Sequence, residues 1–135
     1  MKLSVYKNNF GMLPLKVCLA VILTVHGVAG MFNGGINGFG EYLGTQGFGS
    51  LGVPVAWIIK LSHVVAAGCI LLGKWQLWPC LFTILILIIG IFMVHLPNGW
   101  FVVGGGFNGV EFNLLLISAL IAIIFQKSET AEVKS

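Results

Sequence analysis

Apolar residues fall in long runs along this chain, separated by short polar or glycine-rich stretches. Four of the runs are about 20 residues long, enough for a helix to cross the ~30 Å hydrocarbon core of a bilayer. They predict helices at about 13–32, 53–72, 78–96 and 110–125. Pro14 and Pro54 suit first turns, where a backbone N–H has no helical partner. Pro97-Asn98-Gly99 ends the third run. The links differ in kind. Residues 73–77 form a tight turn, and 97–109 a glycine-rich loop. In the link 33–51, Phe39, Tyr42, Leu43 and Phe48 are interleaved with glycines. That mixture predicts an interfacial or re-entrant segment instead of free coil. The ends read as a polar leader, 1–12, and a polar tail, 126–135.

Composition turns this pattern into a fold class. Of 135 residues only 8% are charged and 58% are apolar, with mean hydropathy +1.02; Arg and Asp do not occur. A soluble domain needs a charged shell, so the chain reads as an all-α membrane protein, a four-transmembrane-helix bundle spanning 13–125. The run 13–32 is long enough to be a retained helix and is not read as a signal peptide. Lys2, Lys7 and Lys16 precede or open the first run, Lys74 sits in the tight turn, and Lys127 and Lys134 follow the last run. The other two links have neither Lys nor Arg. Positive residues favour the cytoplasmic side, so both termini are expected there and the two glycine-rich links outside. Trp57 and Trp100 then fit the outer interface, Trp75 and Trp78 the inner one. The net charge of +3 comes from scattered lysines with no basic patch, which argues against nucleic acid as a partner.

Ionisable groups inside hydrocarbon are costly and each requires a reason. His26 lies about 9 Å from the outer end of the first helix, and Lys60 and His63 about 10 and 15 Å from that of the second, at 1.5 Å per residue. The i, i+3 spacing of Lys60 and His63 puts both on one face. His95 ends the third helix; Glu111 and Asn113 open the fourth. All four helices thus send polar groups into the outer half, whereas the inner half is expected to hold only Ser118 and the cysteines. A polar pocket between the helices is one reading, with Glu111 as anion, Lys60 as cation and the histidines as proton donors, acceptors or ligands. The other is mutual satisfaction, in which Lys60 pairs with Glu111, directly or through one water, and the histidines bond backbone or water.

Neighbouring motifs add little chemistry. Cys18, Cys69 and Cys80 form no CxxC and read as packing residues. Three His and one Glu could ligate a metal, but no pair has the close spacing of a dedicated motif, and no metal is assigned. A His26–His95 pair could ligate haem if both stood at one depth. The glycines have the wrong spacing for a nucleotide loop. Gly27, Gly30, Ala67, Gly68 and Gly90 are expected to let helices approach closely. A repeat is visible: Val25-His26-x-x-x-Gly30-Met31-Phe32 against Val94-His95-x-x-x-Gly99-Trp100-Phe101, consistent with two related hairpins.

Val25-His26-Gly27, Pro54-Val55-Ala56-Trp57, VHLPNGWF at 94–101 and GGGFNGVEFNLLL at 104–116 together resemble the DoxX family of membrane proteins. The resemblance covers about 13–125 and is most specific over 94–116. It implies a four-helix bundle in the bacterial cytoplasmic (inner) membrane, similar to the small membrane subunits of thiosulfate:quinone oxidoreductase. The departures lie at Lys16, where many members carry Arg nearby, at Gly30, where many have Lys, and at His63, where Glu is frequent. The expectation is an accessory or anchor subunit of a membrane redox complex, without catalysis of its own, whose partners are lipid, other redox subunits or further copies of itself. No bound cofactor is assigned; quinone and haem are the candidates. A small-molecule binder or oligomeric carrier, and a structural scaffold, are the alternatives.

Overall fold

Three of the four prolines open helices. The computed structural model describes residues 11–126 and contains helices α1 (Met12–Val28), α2 (Gly35–Leu43), α3 (Gly52–Leu72), α4 (Leu77–Gly90) and α5 (Glu111–Phe125). Pro14, Pro54 and Pro79 are each the third residue of α1, α3 and α4, where their missing N–H costs no hydrogen bond. No strand occurs among the described residues. Nearly all of the expected leader and tail, with Lys2, Lys7, Lys127 and Lys134, lies outside them.

The four longer helices form a ring in which α1 packs on α3, α3 on α4, α4 on α5 and α5 on α1. Leu19, Leu23, Ala66, Ile70, Cys80, Leu116, Leu120 and Ile123 fill its centre. The small residues lie where backbones meet. A Cβ on Gly27 of α1 would stand 2.8 Å from the carbonyl oxygen of Lys60 in α3. Gly68, by contrast, has nothing among the described residues within 4 Å of its Cβ position, so the expectation of close packing fails there. At the end of the ring where α3 gives way to α4, the Gln76 Nε2 donates to the Ile123 carbonyl at 3.0 Å and ties the 73–77 turn to the last turn of α5.

The other end of the ring is roofed. The first helix was expected to reach Phe32 but stops at Val28, because Ala29 leaves helical geometry (ψ 127°) and Gly30 takes φ +84°. The link 33–51 then contains α2, with Ile36, Gly40 and Leu43 on its buried face. That face packs on Ala56, Val55, Ile59 and Met93. Backbones touch here as well: a Cβ on Gly52 would clash with the Gly40 carbonyl oxygen and stand 2.7 Å from the Gly44 nitrogen.

Beyond Gly90 the third long helix changes pitch, through a π turn at Ile91–His95 and a 3-10 turn at Leu96–Asn98. Pro97 is the cause. It has no N–H for the carbonyl four residues back, that of Met93. The Tyr42 hydroxyl of α2 donates to this oxygen at 3.4 Å, so the defect in one helix anchors the roof to it. The loop to α5 is closed by Val110 N–H to Gly99 O and Glu111 N–H to Trp100 O, both 3.1 Å.

Gly52→Ala should lower stability by about 1–3 kcal/mol, because both neighbours of the new methyl are backbone. Gly68→Ala, with open space around it, should be neutral or gain up to about 1 kcal/mol in helix propensity. Thermal denaturation of the two variants in detergent checks the contrast.

Candidate functional site

The last carbonyls of a helix lack intrahelical partners and take whatever donor is near. In α1 one of them is that of His26, and the Lys60 Nζ of α3 donates to it at 2.7 Å. The ammonium is also well placed for the negative end of the α1 dipole. On its other side it lies 5.7 Å from the ring centroid of Phe39 in α2. Lys60 therefore sits where three elements meet, above a cavity of about 370 Å³ between the helices.

Five of the six candidate residues line this cavity: His26, Lys60, His63, His95 and Asn113. They are graded by depth. His26 is exposed, Lys60 half-buried, and His63 and Asn113 are 8% and 6% exposed. Neither ring nitrogen of His63 has a hydrogen-bond partner among the described residues, an uncommon state for a buried polar group. The His95 Nδ1 lies 2.8 Å from the carbonyl oxygen of Asn108. A carbonyl only accepts, so this nitrogen carries a proton, and in the neutral ring Nε2 keeps its lone pair. The remaining wall is apolar, from Ile22, Leu23, Ile59, Leu87, Phe112 and Leu116.

Glu111 is the exception. As the first residue of α5 it turns toward the preceding loop, and its Oε1 accepts the Val102 N–H at 2.8 Å. It faces a separate groove with Val102, Phe112 and Leu115. The expected Lys60–Glu111 pair therefore does not form. Lys60 is satisfied by a helix end on one side of the ring, and Glu111 by a loop amide and a helix N-terminus on another. A shared place in the outer half of the helices put them together in the sequence, but rotation about the helix axes separates them. For the same reason the three histidines and Glu111 do not form one ligand set, and no group of three His, Cys, Asp or Glu able to hold a metal occurs among the described residues.

Several polar residues escaped the sequence reading. Asn108 holds His95 from the loop, at φ +56°, a conformation Asn tolerates better than most residues; its Asn-Gly dipeptide was the available signal. Thr83 is fully buried in α4, and its hydroxyl has no partner among the described residues. It contradicts the expectation that the other half of the ring holds only Ser118 and the cysteines. Of those, Cys80 is buried in the core, but Cys18 is exposed. The repeat reaches the backbone, since Gly30 and Gly99 both have positive φ, +84° and +82°. Its two histidines line one cavity but differ in role: His26 offers a backbone carbonyl, His95 a ring nitrogen.

With the pair absent, Lys60→Met and Glu111→Gln should act independently. The first leaves the His26 carbonyl without its donor and should cost about 1–3 kcal/mol. Their sum should match the double variant within about 0.5 kcal/mol. A coupling above about 1 kcal/mol in thermal stability would restore the direct pair.

No family model matches the chain, and neither a curated protein nor a solved structure does.

Proposed function

We infer that this chain is a membrane protein of four spans that binds a small organic molecule in the cavity beneath α2. Support for the membrane comes from apolar surface. The stretches Gly35–Leu72 and Leu77–Asn98 are long and apolar enough to cross a bilayer, with mean hydropathy 2.0 and 2.7, yet only 22% and 17% of these windows is buried. The core helix of a soluble protein of such composition is mostly buried, whereas lipid accepts exposed Ile58, Leu61, Val65, Leu85 and Ile88 without cost. Two shorter apolar helices, Met12–Val28 and Glu111–Phe125, complete the count of four. At 1.5 Å per residue they are about 26 and 22 Å long, near the hydrocarbon thickness. Lys16 and Lys74 lie at the end opposite the cavity, and the links 29–51 and 99–110 carry no Lys or Arg. By the positive-inside rule the cavity opens outward.

The observation that carries the binding function is the cavity itself. An apolar pocket at the small end of the usual ligand range, with a few convergent polar groups and an unpartnered buried imidazole, is what a small-molecule site requires. Its floor rests on the packed core around Leu23, Leu116 and Leu120, so the shape is that of a pocket and not of a channel.

The DoxX likeness adds a second reading, an accessory or anchor subunit of a redox complex in the bacterial inner membrane. One observation favours it: the segment 94–116 that carries the likeness also supplies His95, Asn108 and Asn113 to the cavity wall.

Gly90 lines the cavity, and a Cβ there has only the Asn113 Nδ2 as a near neighbour, at 3.9 Å. Gly90→Leu should therefore fill the pocket while leaving the fold intact. Native mass spectrometry of protein extracted gently from membranes should show a bound small molecule on the wild type and none on Gly90→Leu. An identical bound complement on both would count against the pocket.

A further inference from the structure

We propose that the cavity is an oxyanion site, which takes a monoanionic head group on an apolar body, with Lys60 as its cation and His63 as its inner hydrogen-bond donor. The inference rests on the small-molecule reading above and specifies the ligand.

The charge balance leads to it. Of the two acids among the described residues, Glu41 and Glu111, neither lines the cavity. The lining holds one ammonium, three imidazoles and two carboxamides. Lys60 meets a helix-end carbonyl and an aromatic face, whose partial negative charges stabilise the ammonium in part but supply no full counter-charge. An ammonium has three N–H donors, and the His26 carbonyl takes one. A cation in apolar surroundings without a carboxylate is costly, and a ligand anion relieves that cost.

Geometry gives the anion a second contact. His63 lies three residues after Lys60, on the same face of α3 and about 4.5 Å further along the axis. His63 is 8% exposed and lines the cavity, and both its ring nitrogens are unpartnered among the described residues. Imidazole carries at least one N–H in either of its ordinary protonation states, so a donor is always available. An oxyanion between the two receives a charge-assisted bond from Lys60 and a second bond from His63. The apolar walls, with Phe39 and Phe112, accommodate the rest of the molecule.

Such a head group belongs either to a soluble organic acid or to an anionic lipid, and the test separates them. The protein is placed in phosphatidylcholine nanodiscs and titrated calorimetrically with 2-naphthoate and with its neutral counterpart 2-naphthamide. Naphthoate should bind at least about tenfold more tightly, the scale of one charge-assisted hydrogen bond. Lys60→Gln removes the charge and keeps a neutral N–H donor one bond shorter, and should bring naphthoate down to the level of naphthamide. His63→Phe should weaken naphthoate severalfold with Lys60 in place, and it carries the test if Lys60→Gln fails to fold. In a second arm, protein from phosphatidylglycerol discs is analysed by native mass spectrometry. Lipid retained by the wild type and lost in Lys60→Gln, with no naphthoate binding, assigns the head group to lipid. Equal affinity for naphthoate and naphthamide, with no retained phosphatidylglycerol, overturns the oxyanion site and leaves the pocket standing. If neither compound nor lipid binds, the oxyanion site falls, and the Gly90→Leu comparison decides whether the pocket falls with it.

Discussion

The bond from the Lys60 ammonium to the carbonyl oxygen of His26, 2.7 Å long, is the point on which the roofed end of the molecule depends. It satisfies an end carbonyl of α1 and fixes that end against α3, beside the contact where Gly27 allows the two backbones to meet. From there the chain turns at Gly30 and lays α2 across the end of the ring. The same bond holds a cation at the mouth of the cavity, so one interaction serves both the fold and the site.

It belongs to a wider pattern. Three long side chains each reach a backbone carbonyl of another helix: Lys60 that of His26, Tyr42 that of Met93, and Gln76 that of Ile123. Each oxygen lies at a helix end or four residues before a proline, where the regular ladder of hydrogen bonds is interrupted. In the proposed lipid setting, apolar burial provides little force between helices, since lipid tails are as apolar as leucine. Close backbone contact at Gly27, Gly40 and Gly52 and these carbonyl bonds then hold the helices together. His63 and Thr83 stand apart from the pattern, as buried polar groups without partners among the described residues. Only His63 lines the cavity, and it is the one assigned a ligand.

The helices were legible because apolar runs and prolines are local signals. The four runs lie close to α1, α3, α4 and α5, and the main errors were at ends set by a glycine turn or by Pro97. The helical nature of α2 was less visible, because its glycines mask a helical spacing of Ile36, Phe39 and Leu43. Depth along each helix was also legible, and it brought five of the six candidate residues to one cavity. Rotation about the helix axes was not, which is how Glu111 came to be paired with Lys60. A helix that buries almost any face in apolar surroundings has little amphipathic pattern from which to read its orientation.

Accessibility from each side of the membrane tests the account most directly, because it asks at once whether the helices span, which way they point and whether the polar end is open. The variant is Asn113→Cys, at the buried floor of the cavity, with Cys18, Cys69 and Cys80 replaced by alanine. Leu120→Cys, in the packed core below, is its control. A small charged thiol reagent that does not cross membranes is applied to sealed vesicles of each orientation. The account predicts labelling of Asn113→Cys from the side of the loop 97–109 only, and none of Leu120→Cys. Labelling of Asn113→Cys from the opposite side, or equally from both, would contradict it.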